Sequence, residues 1–94
     1  MLMEKLPKNE EFNLKQQLRR AAVSVSSNIA EGSGRKSIAE RKRFYEVARS
    51  SVIEIDSQSE VSVALNYIKE EDCNEVNILT MEIFRILTKM IDGR

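Results

Sequence analysis

Ninety-four residues, 41% hydrophobic and 32% charged, are the balance of one folded, highly charged helical domain and exclude a disordered chain. No apolar run approaches the roughly 20 residues that cross a bilayer, so no membrane partner is expected, and Met1-Leu2-Met3-Glu4-Lys5 is charged too soon for a secretory signal. Fifteen basic residues balance fifteen acidic ones, and the single cysteine, Cys73, can form no intrachain disulfide, so a reducing cytoplasm is the expected compartment.

Three helices are expected, in an all-α, antiparallel up-down bundle. The first spans about Phe12 to Glu31, because Leu14, Leu18, Ala21, Ala22, Val25 and Ile29 share one apolar arc. Pro7 ends an extended lead-in, and Gly32 and Gly34 are expected to open the backbone and stop the helix. Ser37-Ile38-Ala39-Glu40 then reads as a capping box. The helix it opens is expected to reach Tyr67 or Ile68, on the order of 45 Å at 1.5 Å per residue. Its expected seam is Phe44, Ala48, Ser51, Ile55, Gln58, Ser62 and Leu65, in which serines permit close approach and Gln58 fixes register.

Lys69-Glu70-Glu71 forms the second joint, with Asp72 and Glu75 as a cap-like pair. Val76, Leu79, Ile83, Ile86 and Met90 make a third seam, widened by Phe84, Leu87 and Ile91. Apolar residues also stand off the seams, Ile78 and Met81 on the last helix and Ile53, Ala64 and Tyr67 on the long one, which favours homo-oligomerisation over a monomer.

Charge is segregated along the chain. Between Lys15 and Arg49 nine basic residues face three acidic ones, a local +6 in a chain of zero net charge. An anionic partner and self-neutralisation between helices or subunits both explain such asymmetry. Arg19, Arg20, Arg35, Lys36, Arg41, Lys42 and Arg43 are the candidate nucleic-acid contacts, with the two groups expected to converge on one end or flank. Gly34, Arg35, Lys36 and Ser37 are a candidate anion site at a helix start, against the plainer reading of a capped turn with solvated cations.

Catalysis is not expected. With no histidine in the chain, neither Ser-His nor Cys-His activation nor a histidine-ligated metal is available. Cys73 lies among Glu70, Glu71, Asp72 and Glu75, whose field opposes the thiolate. That acidic group lacks the glycine turn and alternating ligands of a calcium loop. Gly32-Ser33-Gly34-Arg35-Lys36-Ser37 lacks the spacing of a phosphate loop. No cofactor and no metal is expected.

The run from Leu18-Arg19-Arg20-Ala21-Ala22-Val23-Ser24 through Asn28-Ile29-Ala30-Glu31-Gly32 closely resembles the signature of the four-helix-bundle proteins encoded in 23S rRNA intervening sequences. The likeness continues through Glu40, Arg43-Phe44, Ala48-Arg49 and Glu54-Ile55, and covers Leu6 to about Ile68, the last helix matching only in pattern. It implies a four-helix fold and a ring, typically a homopentamer. It also points to related accessory proteins of diversity-generating retroelements, which bind nucleic acid and a reverse transcriptase through a basic surface. Asn28, Glu31 and Gly32 belong to the shared motif and are expected to be structural, with Asn28 bonding backbone or a neighbouring helix and Glu31 holding an arginine.

This sequence departs from the pattern in three places. Six residues precede Pro7 where relatives carry a complete helix, so one helix of four is expected to be missing. Ser26 replaces a proline, so a straighter first helix is expected. Ser59 and Asn66 replace a leucine and a glycine, weakening the long helix's apolar side. Two functional readings follow, an oligomeric nucleic-acid-binding accessory factor and a homo-oligomeric protein scaffold.

Overall fold

The computed structural model describes residues 8–93, and among them three α-helices and one 3-10 turn, with no strand. The expected lead-in at Pro7 and the absence of an earlier helix concern residues outside that range, and the side chain of Leu14 likewise falls outside what is described. Helix α1 is Lys8–Ser33, α2 is Ile38–Ala64 and α3 is Asn74–Ile91, with the 3-10 turn Glu70–Cys73 leading into α3. Central α2 packs against both α1 and α3, each running antiparallel to it. The result is an elongated bundle of 45 × 22 × 17 Å.

Helix α1 is longer than its apolar arc and runs without interruption through Ser26. Gly32 does not stop it. That glycine is helical and buried, and the chain leaves the helix only at Gly34, whose N–H bonds back to the carbonyls of Ala30 and Glu31 at 3.3 and 3.2 Å. Neither Gly32 nor Gly34 has a positive φ. Gly32 instead permits close approach, because a Cβ there would lie 2.7 Å from Tyr45 Cε1 and 3.0 Å from Phe44 Cβ. Ser33 Oγ and the Tyr45 hydroxyl complete the contact at 3.2 Å.

Ser37 supplies its half of the expected capping box, with no bond from its own N–H to the Glu40 side chain. Its backbone is extended and its Oγ accepts from the Glu40 N–H at 3.3 Å. The far end falls short of Tyr67, since Asn66 takes φ +62° and closes the helix. Asn66 N–H bonds to Val63 O and Tyr67 N–H to Ser62 O, both at 2.9 Å, which is the double bond of a Schellman ending. Tyr67 thereby turns inward, half-buried, onto Ile68 and Cys73. It is not the outward residue its place behind the seam suggested.

The seam of α2 keeps Ala48, Ser51 and Ser62 of its expected line and shifts elsewhere. Tyr45, Ala48, Ser51, Val52, Ser59 and Ser62 are buried, whereas Phe44 is half-buried and Leu65 exposed. Three of the six are serines, and each donates to a carbonyl one turn earlier: Ser51 to Val47, Ser59 to Ile55 and Ser62 to Gln58, at 3.2, 3.0 and 2.9 Å. A hydroxyl satisfied by its own helix can be buried at little cost and lets the neighbouring backbone come close. Gln58, expected to fix register, donates instead to Glu54 on the same helix at 3.2 Å.

Two apolar clusters hold the helices. Tyr45, Ala48, Val52 and Leu87 form one, closed by Val25 and Ile29 of α1 and Ile83, Met90 and Ile91 of α3. Ile68 and Cys73 form the other, with Leu18, Val63, Tyr67 and Val76. Helix α3 turns Val76, Ile83, Leu87, Met90 and Ile91 of its expected face inward, but it also buries Thr80, while Leu79 and Ile86 are 57% and 45% exposed. Thr80 enters the core because its hydroxyl bonds to Asn77 O at 3.0 Å. Asp72 caps the 3-10 turn through the Lys69 N–H at 3.2 Å, and no side chain caps α3. Ile53, Ala64, Ile78 and Met81 are exposed as their off-seam positions predict.

Candidate nucleic-acid interface

The candidate cations fall into two groups that the fold keeps apart. Arg35, Lys36, Arg41, Lys42 and Arg43 surround the α1–α2 turn and the first turns of α2. Arg19 and Arg20 are exposed further down α1, beside the exposed Val23. Ser33 lies thirteen positions beyond Arg20 along the helix, which is about 20 Å at 1.5 Å per residue. Of the expected convergence on one end or flank, the one-end arrangement therefore does not occur within one chain, because antiparallel packing sets Arg19 and Arg20 level with the middle of α2.

Within the turn group, structure divides committed cations from free ones. Arg35 donates to Glu31 Oε2 at 3.1 Å and lies over the Phe44 ring at 4.9 Å. The pair is largely exposed, so its worth is at most about 1 kcal/mol, but it occupies the guanidinium. Glu31 was expected to hold an arginine, with Arg19 or Arg20 as its candidate partners; the one it holds is Arg35. Arg41 Nε donates to the Arg35 carbonyl at 2.6 Å, tying the start of α2 back to the turn. Lys36, Lys42 and Arg43 have no hydrogen-bond or carboxylate partner among the described residues, Lys42 being half-buried and the other two exposed. Successive helical residues point about 100° apart, so residues 41–43 fan around one end of the bundle.

The anion site at Gly34, Arg35, Lys36 and Ser37 is smaller than those four residues suggest. The Gly34 and Arg35 N–H groups are used by carbonyls of α1, the latter through Gly32 O at 3.1 Å. The Ser37 Oγ accepts from Glu40 N–H, which leaves its O–H proton to donate. What remains for an anion is the Lys36 ammonium and the Ser37 O–H beside the first N–H groups of α2.

Asn28 serves the fold. Its Nδ2 donates to Ser24 O at 2.8 Å and reaches Ser24 Oγ at 3.1 Å. Ser24 Oγ in turn lies 2.7 Å from Ser51 Oγ, whose one hydroxyl proton lies between it and Val47 O, so a polar relay joins α1 to α2. The serines of the motif showed no periodic signal, and only their mutual spacing in three dimensions reveals the relay. Sequence reasoning also missed a second cation setting. Arg49 donates to Thr88 Oγ1 at 3.1 Å and lies over Phe84 at 5.5 Å, bridging α2 and α3 with no carboxylate against it among the described residues.

Cys73 is buried within the second cluster. Burial lifts its thiol above the ordinary value, and the negative charges of Asp72 and Glu70 lift it further. Among the described residues no group of acids or cysteines is placed to hold a metal ion, and no helix is long and apolar enough to cross a membrane.

The family model for the 23S rRNA-intervening sequence protein matches residues 1–89. The chain belongs to that family. The match takes in all of α1 and α2 and nearly all of α3, extending well beyond the Ala-Glu-Gly motif around Glu31. None of the curated proteins matches the chain. In this member of the 23S rRNA-intervening sequence protein family, then, the motif residues Asn28, Glu31 and Gly32 serve helix pairing and the turn, and the free cations stand just beyond them.

Proposed function

We propose that this protein is a non-enzymatic, self-associating helical-bundle factor of the cytoplasm that binds RNA or DNA through backbone phosphates, as an accessory to a nucleic-acid enzyme such as a reverse transcriptase. The observation that carries the reading is the group of cations Lys36, Lys42 and Arg43, without partners among the described residues, at the end of the bundle where α1 turns into α2. Flexible or forked cations held without acids suit phosphate contacts, which position a protein without reading sequence. Arg19 and Arg20 extend the basic surface along α1, and copies of the chain brought together would repeat it, multiplying weak contacts. Few exposed aromatic side chains are present among the described residues, so base stacking contributes little.

A scaffold without a nucleic-acid role is the second reading, favoured by the exposed Ile78, Leu79 and Ile86 on α3. Fluorescence anisotropy with generic RNA and DNA duplexes across a salt series separates the two. Micromolar affinity that falls steeply with salt is expected of phosphate binding. Absence of binding at low salt overturns it and leaves the scaffold.

A further inference from the structure

The two cation groups, apart along the bundle, share one line of helix α1. From Arg20, Ser27 lies seven residues on and Glu31 eleven, which is two and three turns to within about 20°. Glu31 holds Arg35 at 3.1 Å, and Arg35 lies over the ring of Phe44. Lys36 and Arg43, the chain neighbours of Arg35 and Phe44, therefore stand at the head of that line. Ser27 is midway, about 10 Å from Arg20 at 1.5 Å per residue. It is exposed, and its hydroxyl has no partner among the described residues.

The face between the two groups is low and free of negative charge. Ala22, Val23, Ser26, Ser27 and Ala30 are exposed on it, and α1 has no acidic residue from Phe12 to Ala30. Because Ser24 faces Ser51 across the antiparallel pair, Glu54 of α2 is nearly level with Arg20. Its carboxylate accepts from Gln58 Nε2 at 3.2 Å and pairs with no cation among the described residues.

Cations at both ends, about 20 Å apart along the helix, with small neutral side chains between them, suit a stiff anionic ligand. Double-stranded nucleic acid stays straight over such a distance, its persistence length being about 50 nm. Each of its strands advances about 3.4 Å per phosphate, so about six base pairs span the two groups. A single strand would have to be ordered across the gap without the aromatic platforms that hold such strands. We infer that a nucleic-acid duplex lies along α1, its phosphates meeting Arg19 and Arg20 at one end, Lys36 and Arg43 at the other, and the Ser27 hydroxyl between. The inference rests on the phosphate binding proposed above and gives it an axis and a strand state.

Adding a cation to the track tests it. In anisotropy titrations across a salt series with a DNA duplex of about 16 base pairs, Ser27→Lys is expected to bind more tightly and to steepen the slope of log K against log salt by about 0.9. Met81→Lys, at a residue 73% exposed on the α2–α3 flank away from α1, is expected to leave the slope unchanged. Arg19→Ala with Arg20→Ala is expected to make it shallower by about 1–2. A Ser27→Lys slope no steeper than that of Met81→Lys, an unchanged slope without Arg19 and Arg20, or tighter binding of a single strand of the same length overturns the duplex track. Each of these leaves phosphate binding at Lys36 and Arg43 standing. Wild-type protein that binds no duplex at low salt overturns both.

Discussion

Gly32 and Tyr45 occupy one another's space: a single methyl group on Gly32 would stand 2.7 Å from the Tyr45 ring. Tyr45 is buried in the main cluster and has no room to yield without disturbing Ala48 and Leu87. The glycine of the family motif is thus a packing residue. Gly32→Ala is expected to destabilise the bundle by about 1–3 kcal/mol through overpacking, outweighing alanine's gain of up to about 1 kcal/mol in helix propensity. Urea unfolding followed by circular dichroism checks the sign. A more stable alanine variant contradicts the close approach.

Ser24 and Ser51 are expected to be energetically coupled. Removing either hydroxyl breaks the 2.7 Å bond between α1 and α2 and costs about 1 kcal/mol. Removing both should cost less than the sum, because the second change removes a group already without its partner. A double-mutant cycle reads the difference, and strict additivity is the contrary outcome.

Asn66 closes α2 with φ +62°, a conformation that penalises a Cβ by about 1–2 kcal/mol for most residues. Asn66→Ala is accordingly expected to lower stability by about 1 kcal/mol, and Asn66→Gly to leave it equal or raised. Thermal unfolding of the two variants checks the order, and equal melting temperatures contradict it.

Cys73 should be chemically quiet in the native state. With its thiol raised by burial and by Asp72 and Glu70, the folded protein holds its proton to higher pH than the unfolded chain. The associated stability is complete below the unfolded thiol's pKa of about 8.5 and declines as pH rises through and above it. Thiol labelling at pH 8 is expected to be at least tenfold slower in native protein than in urea. Equal rates would place Cys73 at the surface.

Helix count, the Ser37 cap and the surface cations were legible because each depends on local spacing or composition. Rotation of the helices was not. On α2 Ala48, Ser51 and Ser62 are buried on the expected seam, but Tyr45, Val52 and Ser59 complete it in place of Phe44, Ile55 and Leu65, Ser59 being admitted because its hydroxyl bonds its own helix. On α3 apolar residues lie on several sides, and Thr80 takes a core place that the apolar period assigns to Leu79. The end of α2 was hidden because Tyr67 and Ile68 continue an apolar pattern across a left-handed Asn66. In the candidate interface the cations themselves were visible, but their division was not. Arg35 and Arg41 are occupied only because the turn brings Glu31 and a backbone carbonyl beneath them.

That division is also the point at which phosphate binding is most open to direct test. The measurement is the slope of log K against log salt for a generic duplex, compared between the wild-type protein and the double variant Lys36→Ala with Arg43→Ala. A cation that neutralises one phosphate contributes about 0.9 to the slope on double-stranded DNA. The double variant is therefore expected to show a slope shallower by about 1–2, while Arg35→Ala changes it little. An unchanged slope in the double variant would contradict the assignment of the free cations to phosphate.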